Sequence, residues 1–197
     1  EGIDQTHNPE FTMIEWYEAY ADYNRVMDVT EGLFKHLAKS IFGRMELKVG
    51  DKKIDIGKTW PRVEMMDIIS EKLGIDVMKE TQANLADYCI KNSIELVGGE
   101  TKGQLIFLIF EHKVTDLLIE PIWVVDYPKD VSPLAKEGEA GEGLVERFEG
   151  YIGGKEICDG WSEINDPLTQ RERFELDMKA VRRDEEEAQR VDEDFIE

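Results

Sequence analysis

The sequence predicts an α+β fold in which an antiparallel β-sheet is flanked by helices. Some segments space their apolar residues as helices do, and others alternate with the period of two that strands show. The two kinds of segment are mixed without the regular strand–helix–strand order of a doubly wound parallel sheet. The 197 residues and the hydrophobic content of 41% are enough for one domain with a core.

The first predicted element is a strand over residues 10–20. Alternation places Phe11, Glu15 and Tyr17 on one face of this strand, together with two further apolar residues. An acid between apolar neighbours is unusual on the inner face of a core strand, because an unpaired buried charge is costly. The segment therefore indicates a functional strand.

A helix, a hairpin and a second helix are predicted next. Asp22 is a predicted N-cap, and the apolar spacing after it predicts a helix that ends at Gly43. Residues 45–56 predict a hairpin that turns at Gly50-Asp51. Pro61 is predicted to start the next helix, since proline is favoured at the first helical position.

The remaining elements alternate between helices and strands. Helices are predicted over residues 81–91, 102–118 and 174–187, and strands over 119–127, 145–152 and 157–164. The last two strands are joined through Gly153-Gly154, and the Gly- and Glu-rich residues 137–143 predict a loop.

Charge and composition limit the function classes. A formal net charge of −20 repels polyphosphate at long range, which argues against a general nucleic-acid-binding surface but leaves room for a small, locally positive site. Two cysteines, Cys89 and Cys158, are too few for a disulfide framework and predict reduced thiols in the cytoplasm. No apolar run reaches about 18 residues, so no membrane span is expected.

Carboxylates concentrate near the end of the predicted sheet. Asp159, Trp161 and Glu163 alternate onto one strand face, and Glu149 and Glu156 precede them. Such carboxylates suit Mg²⁺, which takes oxygen ligands and binds beside substrate phosphates. A solvated face on an acidic protein is the alternative.

Two residues near the start also have two readings each. His7 could contact a phosphate from a loop or be merely exposed. Phe11 could stack on a purine or belong to the core. The residues by themselves leave both alternatives open.

Several separate blocks share one resemblance. They are His7-Asn8-Pro9-Glu10-Phe11-Thr12-Met13 with Ala19-Tyr20-Ala21-Asp22-Tyr23, Ser132-Pro133-Leu134-Ala135-Lys136, Arg147-Phe148-Glu149, and Gly153-Gly154-Lys155-Glu156 through Asp166. The first resembles the second half of motif 2 of class II lysyl-tRNA synthetases. The last two resemble the strands that hold magnesium and lysine in that family.

The resemblance implies an ATP site. In it, Glu1 would read the adenine amino group, Phe11 would stack on the ring, and His7 would face the γ-phosphate. Glu149 and Glu156 would hold Mg²⁺ that bridges the phosphates.

The resemblance also implies a lysine site. Glu15, Tyr17 and Glu163 would surround the lysine side chain, with Trp161 as an aromatic wall. Asp159 stands where the family usually has Asn beside the amino acid, and a second acid there would repel the substrate carboxylate unless it is compensated.

The function implied is that of a lysine–tRNA ligase, which forms lysyl-adenylate from L-lysine and ATP and passes lysine to tRNA(Lys). The resemblance also implies a cytoplasmic homodimer with no membrane contact. Residues 1–197 would be part of the catalytic domain, starting within motif 2 and stopping before motif 3, without motif 1 or the anticodon-binding domain. Such an isolated chain is expected not to aminoacylate tRNA. The alternatives are a paralogue that lysylates a translation elongation factor and a non-catalytic fragment that binds a nucleotide or a partner.

Overall fold

The computed structural model describes residues 8–138, 141, 143–180 and 192–196. Its strands form a two-stranded hairpin and a four-stranded sheet. The hairpin consists of β1 (Glu46–Val49) and β2 (Lys52–Asp55); the sheet has the order β3 (Arg62–Glu64), β4 (Ile122–Pro128), β5 (Leu144–Ile152) and β6 (Lys155–Trp161). The pairs β4–β5 and β5–β6 are antiparallel, whereas β3 is parallel to β4. The predicted α+β class is confirmed, with one parallel edge strand added.

The described residues contain six α-helices. They are α1 (Tyr23–Leu37), α2 (Met65–Leu73), α3 (Gln82–Lys91), α4 (Lys102–Lys113), α5 (Pro167–Ala180) and α6 (Glu193–Ile196). The predicted N-cap of α1 is confirmed, because the Asp22 side chain accepts a hydrogen bond from the Arg25 backbone N–H. No described helix is both long and apolar enough to cross a membrane.

The larger sheet has a hydrophobic cluster on each face. Helices α2, α3 and α4 pack on one face, where Val124, Tyr127 and Tyr151 are buried. Helix α1 and the hairpin pack on the other, against Trp123 and Phe148. Strand β4 is thus buried on both faces, which explains its nearly continuous apolar sequence. Strand β5 is also largely buried, although it carries the charged residues Glu146, Arg147 and Glu149.

The segment before α1 differs from the prediction. Residues 11–18 form no strand, although their apolar and polar side chains alternate with the period of two that is typical of strands. Phe11 is 75% exposed, and Met13 and Ile14, which the alternation would place on opposite faces, are both exposed as well. A strand needs a neighbour to hydrogen-bond, and none of the described residues pairs with this segment.

The predicted helix start at Pro61 is also wrong. Residues Arg62–Glu64 pair with β4, and the helix begins only at Met65. The Pro61 carbonyl accepts a bond from the Trp123 N–H, which begins this pairing. The tertiary contact with β4 therefore outweighs the local preference of proline for a helix start.

Candidate active site

An open cavity of about 1460 Å³ lies between the segment before α1 and the strands β5 and β6. Eight of the ten predicted site residues line it: Phe11, Glu15, Tyr17, Glu149, Glu156, Asp159, Trp161 and Glu163. The other two, Glu1 and His7, lie outside the described residues. We call the side formed by β5 and β6 the sheet wall, and the side formed by residues 11–22 the segment wall.

Glu149 is held in place by its neighbours on β5. Arg147, Glu149 and Tyr151 point to the same face, because side chains alternate along a strand. Arg147 donates to the Glu149 carboxylate at 2.6 Å, and the Tyr151 hydroxyl donates to it at 2.5 Å. Glu149 is only 3% exposed, so these charge-assisted bonds offset the cost of burying it.

Both partners of Glu149 are themselves fixed. Arg147 also donates to the Val131 carbonyl and the Ser132 hydroxyl, and its guanidinium lies 4.9 Å from the centre of the Tyr127 ring. Burial and the nearby Glu149 carboxylate raise the pKa of Tyr151 far above its usual value, which keeps the phenol protonated as a donor. The Glu149 carboxylate is therefore preorganised.

Glu156 is the acid of the sheet wall whose pKa is raised. It is an exposed residue of β6 that lines the cavity, and protein atoms near its carboxyl group still reduce its solvation. Burial raises the pKa of Glu156 to about 7, with further contributions from the negative charges of Glu149 and Asp159. Asp159 lies 3.9 Å from Arg147, which partly compensates its charge.

These carboxylates suit one kind of metal site. Among the described residues, no group of three or more His, Cys, Asp and Glu side chains is arranged to hold a metal ion. Glu149 and Glu156 alone are too few for a site made only of protein. Two carboxylates fit Mg²⁺ bound jointly with substrate phosphates, since Mg²⁺ often takes one or two protein oxygens and fills its shell with phosphate and water.

The cavity as a whole is strongly negative. Ten Asp and Glu residues and two lysines are among its lining residues. Trp161 donates its indole N–H to the Glu163 carboxylate at 3.1 Å, so an aromatic face and an acid are held side by side. A carboxylate beside an aromatic ring is an environment that attracts an organic ammonium group.

The two walls are joined at Tyr23, the first residue of α1. Its backbone N–H donates to the Ser162 hydroxyl at 2.9 Å, just after β6, and its hydroxyl donates to Asp126 at 3.1 Å. Asp126 is buried at a bulge in β4 with a φ of +62°, a conformation that costs energy for a residue other than glycine. Burial raises the pKa of Asp126.

The sequence analysis missed Arg147, Tyr151 and Tyr23 as site residues. Arg147 and Tyr151 had a signal, because they flank Glu149 at the period of two within a predicted strand. Tyr23 had none, since its partners are 103 and 139 residues away along the chain.

Comparison with known proteins identifies the family of this chain. The chain matches the family "tRNA synthetases class II (D, K and N)" over residues 1–197. The chain belongs to this family. It is 44% identical over 197 residues to lysine–tRNA ligase 2 of Methanosarcina mazei, and 39% identical over 198 residues to the lysine–tRNA ligase of Bacillus subtilis. A lysine–tRNA ligase of Porphyromonas gingivalis is 43% identical over 196 residues.

The match covers all of this chain but only part of each relative. The chain spans 39% of the Methanosarcina protein, 40% of the Bacillus protein and 34% of the Porphyromonas protein. Family membership and the fold class are therefore shown for the class II synthetase segment, and the resemblance seen in the sequence is confirmed.

Proposed function

We propose that this chain forms the amino-acid and ATP site of a lysine–tRNA ligase, which activates L-lysine as lysyl-adenylate and transfers it to tRNA(Lys). The observation that carries this proposal is the convergence of eight predicted residues on one strongly acidic cavity. The relatives described above carry the name lysine–tRNA ligase, and none of them supports the elongation-factor paralogue.

Recognition of lysine rests on the acids and the aromatic wall. Glu163, held by Trp161, and Glu15 from the segment wall would pair with the ε-ammonium group, and Tyr17 would close the site. Glu15 and Glu163 are both exposed in this structure, so a bound substrate would have to cover them. Covering two carboxylates without supplying a cation is costly, so the site would discriminate against uncharged analogues. This selectivity is what a lysine enzyme needs.

Asp159 would orient the α-amino end of the substrate. Its carboxylate would attract the α-ammonium group and repel the α-carboxylate. Arg147, at 3.9 Å, supplies a positive charge that lessens the repulsion. An aspartate at position 159 would therefore be compatible with lysine binding, although the family usually has Asn there.

The ATP site would adjoin the lysine site, since Glu149 lies directly opposite Asp159 in the β5–β6 pair. Phe11 would stack on adenine, with Glu1 and His7 contacting the base and the γ-phosphate as the resemblance implies. Glu149 and Glu156 would hold Mg²⁺, which when bound neutralises phosphate charge during attack. Attack of the lysine carboxylate on the α-phosphate needs positioning and charge stabilisation, so no residue of this chain must act as a base.

The wider setting of the activity belongs to the same proposal. We propose a homodimer, a cytoplasmic location and tRNA(Lys) as acceptor because the family resemblance implies them. Residues 1–197 are proposed to be a part of the catalytic domain.

The test is a chimeric ligase in which these 197 residues replace the matching segment of the Methanosarcina mazei enzyme. We expect lysine-dependent ATP–pyrophosphate exchange and lysylation of tRNA(Lys). Glu163→Gln should raise KM for lysine about ten- to a hundredfold, because a charge-assisted bond contributes roughly 1.5–3 kcal/mol. Glu71→Gln, an exposed acid on α2, is the matched control and should change nothing.

Three outcomes would contradict the proposal. Exchange that does not depend on lysine would remove the amino-acid assignment. Lysylation of an elongation factor in place of tRNA would support the paralogue. A folded chimera without exchange would support a non-catalytic nucleotide-binding or partner-binding segment.

A further inference from the structure

Positive charge in this acidic chain is concentrated in one segment. Residues 35–58 contain seven Lys and Arg and three Asp and Glu, which gives this segment a net charge of +4. Because the whole chain has a net charge of −20, all other residues together carry −24. The segment comprises the end of α1, the π-helical turn Ala38–Phe42 and the hairpin. Six of its cations are exposed: Lys39, Arg44, Lys48, Lys52, Lys53 and Lys58. We call these six the basic hairpin surface.

We propose that the basic hairpin surface binds the phosphate backbone of an RNA, namely the tRNA acceptor of the proposed function, on which this inference rests. The acidic body of the protein repels RNA, whereas this surface attracts it. The charge distribution would therefore orient an approaching RNA towards one place on the molecule.

The pairing within the hairpin gives this surface its geometry. Lys48 and Lys53 are directly opposite each other, on the face away from Leu47 and Ile54, which pack into the core. Like charges in this position repel and destabilise a hairpin unless an anion lies between them. Lys53 has a partner in Glu46 at 3.3 Å, but both side chains are mostly exposed, so this pair holds the lysine only weakly.

The turn next to the hairpin exposes apolar side chains between cations. Residues Ala38–Phe42 form a π-helical turn that ends at Gly43 with a φ of +65°. Such turns are rare in proteins, and those that occur are often found at functional sites. Ile41 is 66% exposed and Phe42 is 56% exposed, between Lys39 and Arg44 in the chain. An exposed ring among cations is suited to stacking on an RNA base.

RNA fits this surface better than an anionic membrane does. The exposed apolar residues span one helical turn, whereas helices that lie in a membrane surface bury a long apolar face. The hairpin also lies beside the strands of the cavity, because the Val49 side chain is next to Gly153, three residues before Glu156. An RNA bound to the hairpin would thus lie near the mouth of the cavity.

The direct test measures binding of this chain to fluorescently labelled tRNA(Lys) transcript by anisotropy at several salt concentrations. The variant K48E/K53E should bind at least tenfold more weakly at low salt and should reduce the slope of log K against log[salt] by about 2. The milder K48Q/K53Q should give about half that change in affinity. The control K72E/K91E reverses two exposed lysines of α2 and α3 and should bind like the unchanged chain.

Equal binding by K48E/K53E and K72E/K91E would overturn the proposal, and so would no binding of the unchanged chain. Binding to vesicles of 70% phosphatidylcholine and 30% phosphatidylserine, without RNA binding, would assign the surface to a membrane instead.

The chimeric ligase separates this proposal from the proposed function. K48E/K53E should raise KM for tRNA at least tenfold and leave lysine-dependent pyrophosphate exchange unchanged, because exchange needs no RNA. A chimera that shows no exchange refutes the proposed function. The anisotropy experiment then still decides whether the basic hairpin surface binds RNA.

Discussion

The two walls of the cavity hold similar ion pairs in different ways. On the sheet wall, Arg147 and Glu149 are 2.6 Å apart, with side chains 17% and 4% exposed. On the segment wall, Glu18 pairs with Arg25 of α1 at 3.1 Å, and the two side chains are 43% and 54% exposed. The first pair is desolvated and bonded on several sides, whereas water screens the second. The sheet wall therefore contributes to folding and to a preorganised site, and the segment wall contributes little to folding.

Removing the cation of each ion pair tests this difference most strongly. Arg147→Met should lower the free energy of unfolding by about 3–5 kcal/mol, because Glu149 would remain buried without its cation. Arg25→Met, the matched exposed change, should cost about 0.2–1 kcal/mol. Urea denaturation of the chain measures both. Similar losses for the two variants would show that burial does not separate the walls.

The same division explains how far the sequence predicts the structure. The strands β5 and β6 are predictable because their alternation and the Gly153-Gly154 turn are local signals that the tertiary structure keeps. The segment of residues 11–18 has the same alternation, yet a strand also requires a paired neighbour, which no local pattern supplies.

Long-range contacts account for what the sequence could not predict. Pro61 has the local signature of a helix start, but pairing with β4 carries the chain on as a strand. The acids of the site are predictable as a group on strand faces. The bond from Tyr23 to Asp126 depends on a bulge more than one hundred residues away, and no spacing in the sequence indicates it.

Close packing behind the sheet wall gives the second prediction. A Cβ on Gly160 would lie 2.7 Å from the Phe148 ring, so Gly160→Ala should cost about 1–3 kcal/mol through overpacking. Gly32→Ala in α1 is the matched control, because nothing lies within 4 Å of its added Cβ. Because this change replaces a glycine inside a helix by alanine, the free energy of unfolding should rise by about 0.5–1 kcal/mol. Thermal unfolding of both variants checks the signs, and a tolerated Gly160→Ala would show that the wall is loosely packed.

The raised pKa of Glu156 gives a smaller, pH-dependent effect. Because the folded state holds this proton up to about pH 7 and the unfolded state releases it near its ordinary value, stability should fall as pH rises between about 4.5 and 7. Glu156→Gln should remove this loss, which is on the order of 1 kcal/mol because solvent screens this exposed side chain. Asp159→Asn removes one of the causes and should flatten the profile partly. Urea denaturation at pH 5 and pH 8 measures the change in the free energy of unfolding. The same change in the unchanged chain, Glu156→Gln and Asp159→Asn would show that Glu156 does not cause it.

A phenylalanine on each side of the cavity gives the sharpest contrast between the walls, and Phe11 gives the smallest effect on stability. Phe148 is fully buried behind the sheet wall, so Phe148→Ala should cost about 3–5 kcal/mol. Phe11 on the segment wall is 75% exposed, so Phe11→Ala should change stability by less than about 0.5 kcal/mol. In the chimeric ligase, however, Phe11→Ala should raise KM for ATP by about five- to a hundredfold, since stacking of a base on an aromatic ring contributes roughly 1–3 kcal/mol. Phe11→Tyr keeps the stacking face and should restore most of the affinity. An unchanged KM for ATP in Phe11→Ala would remove adenine stacking from the segment wall, whereas a large loss of stability would show that this wall is packed after all.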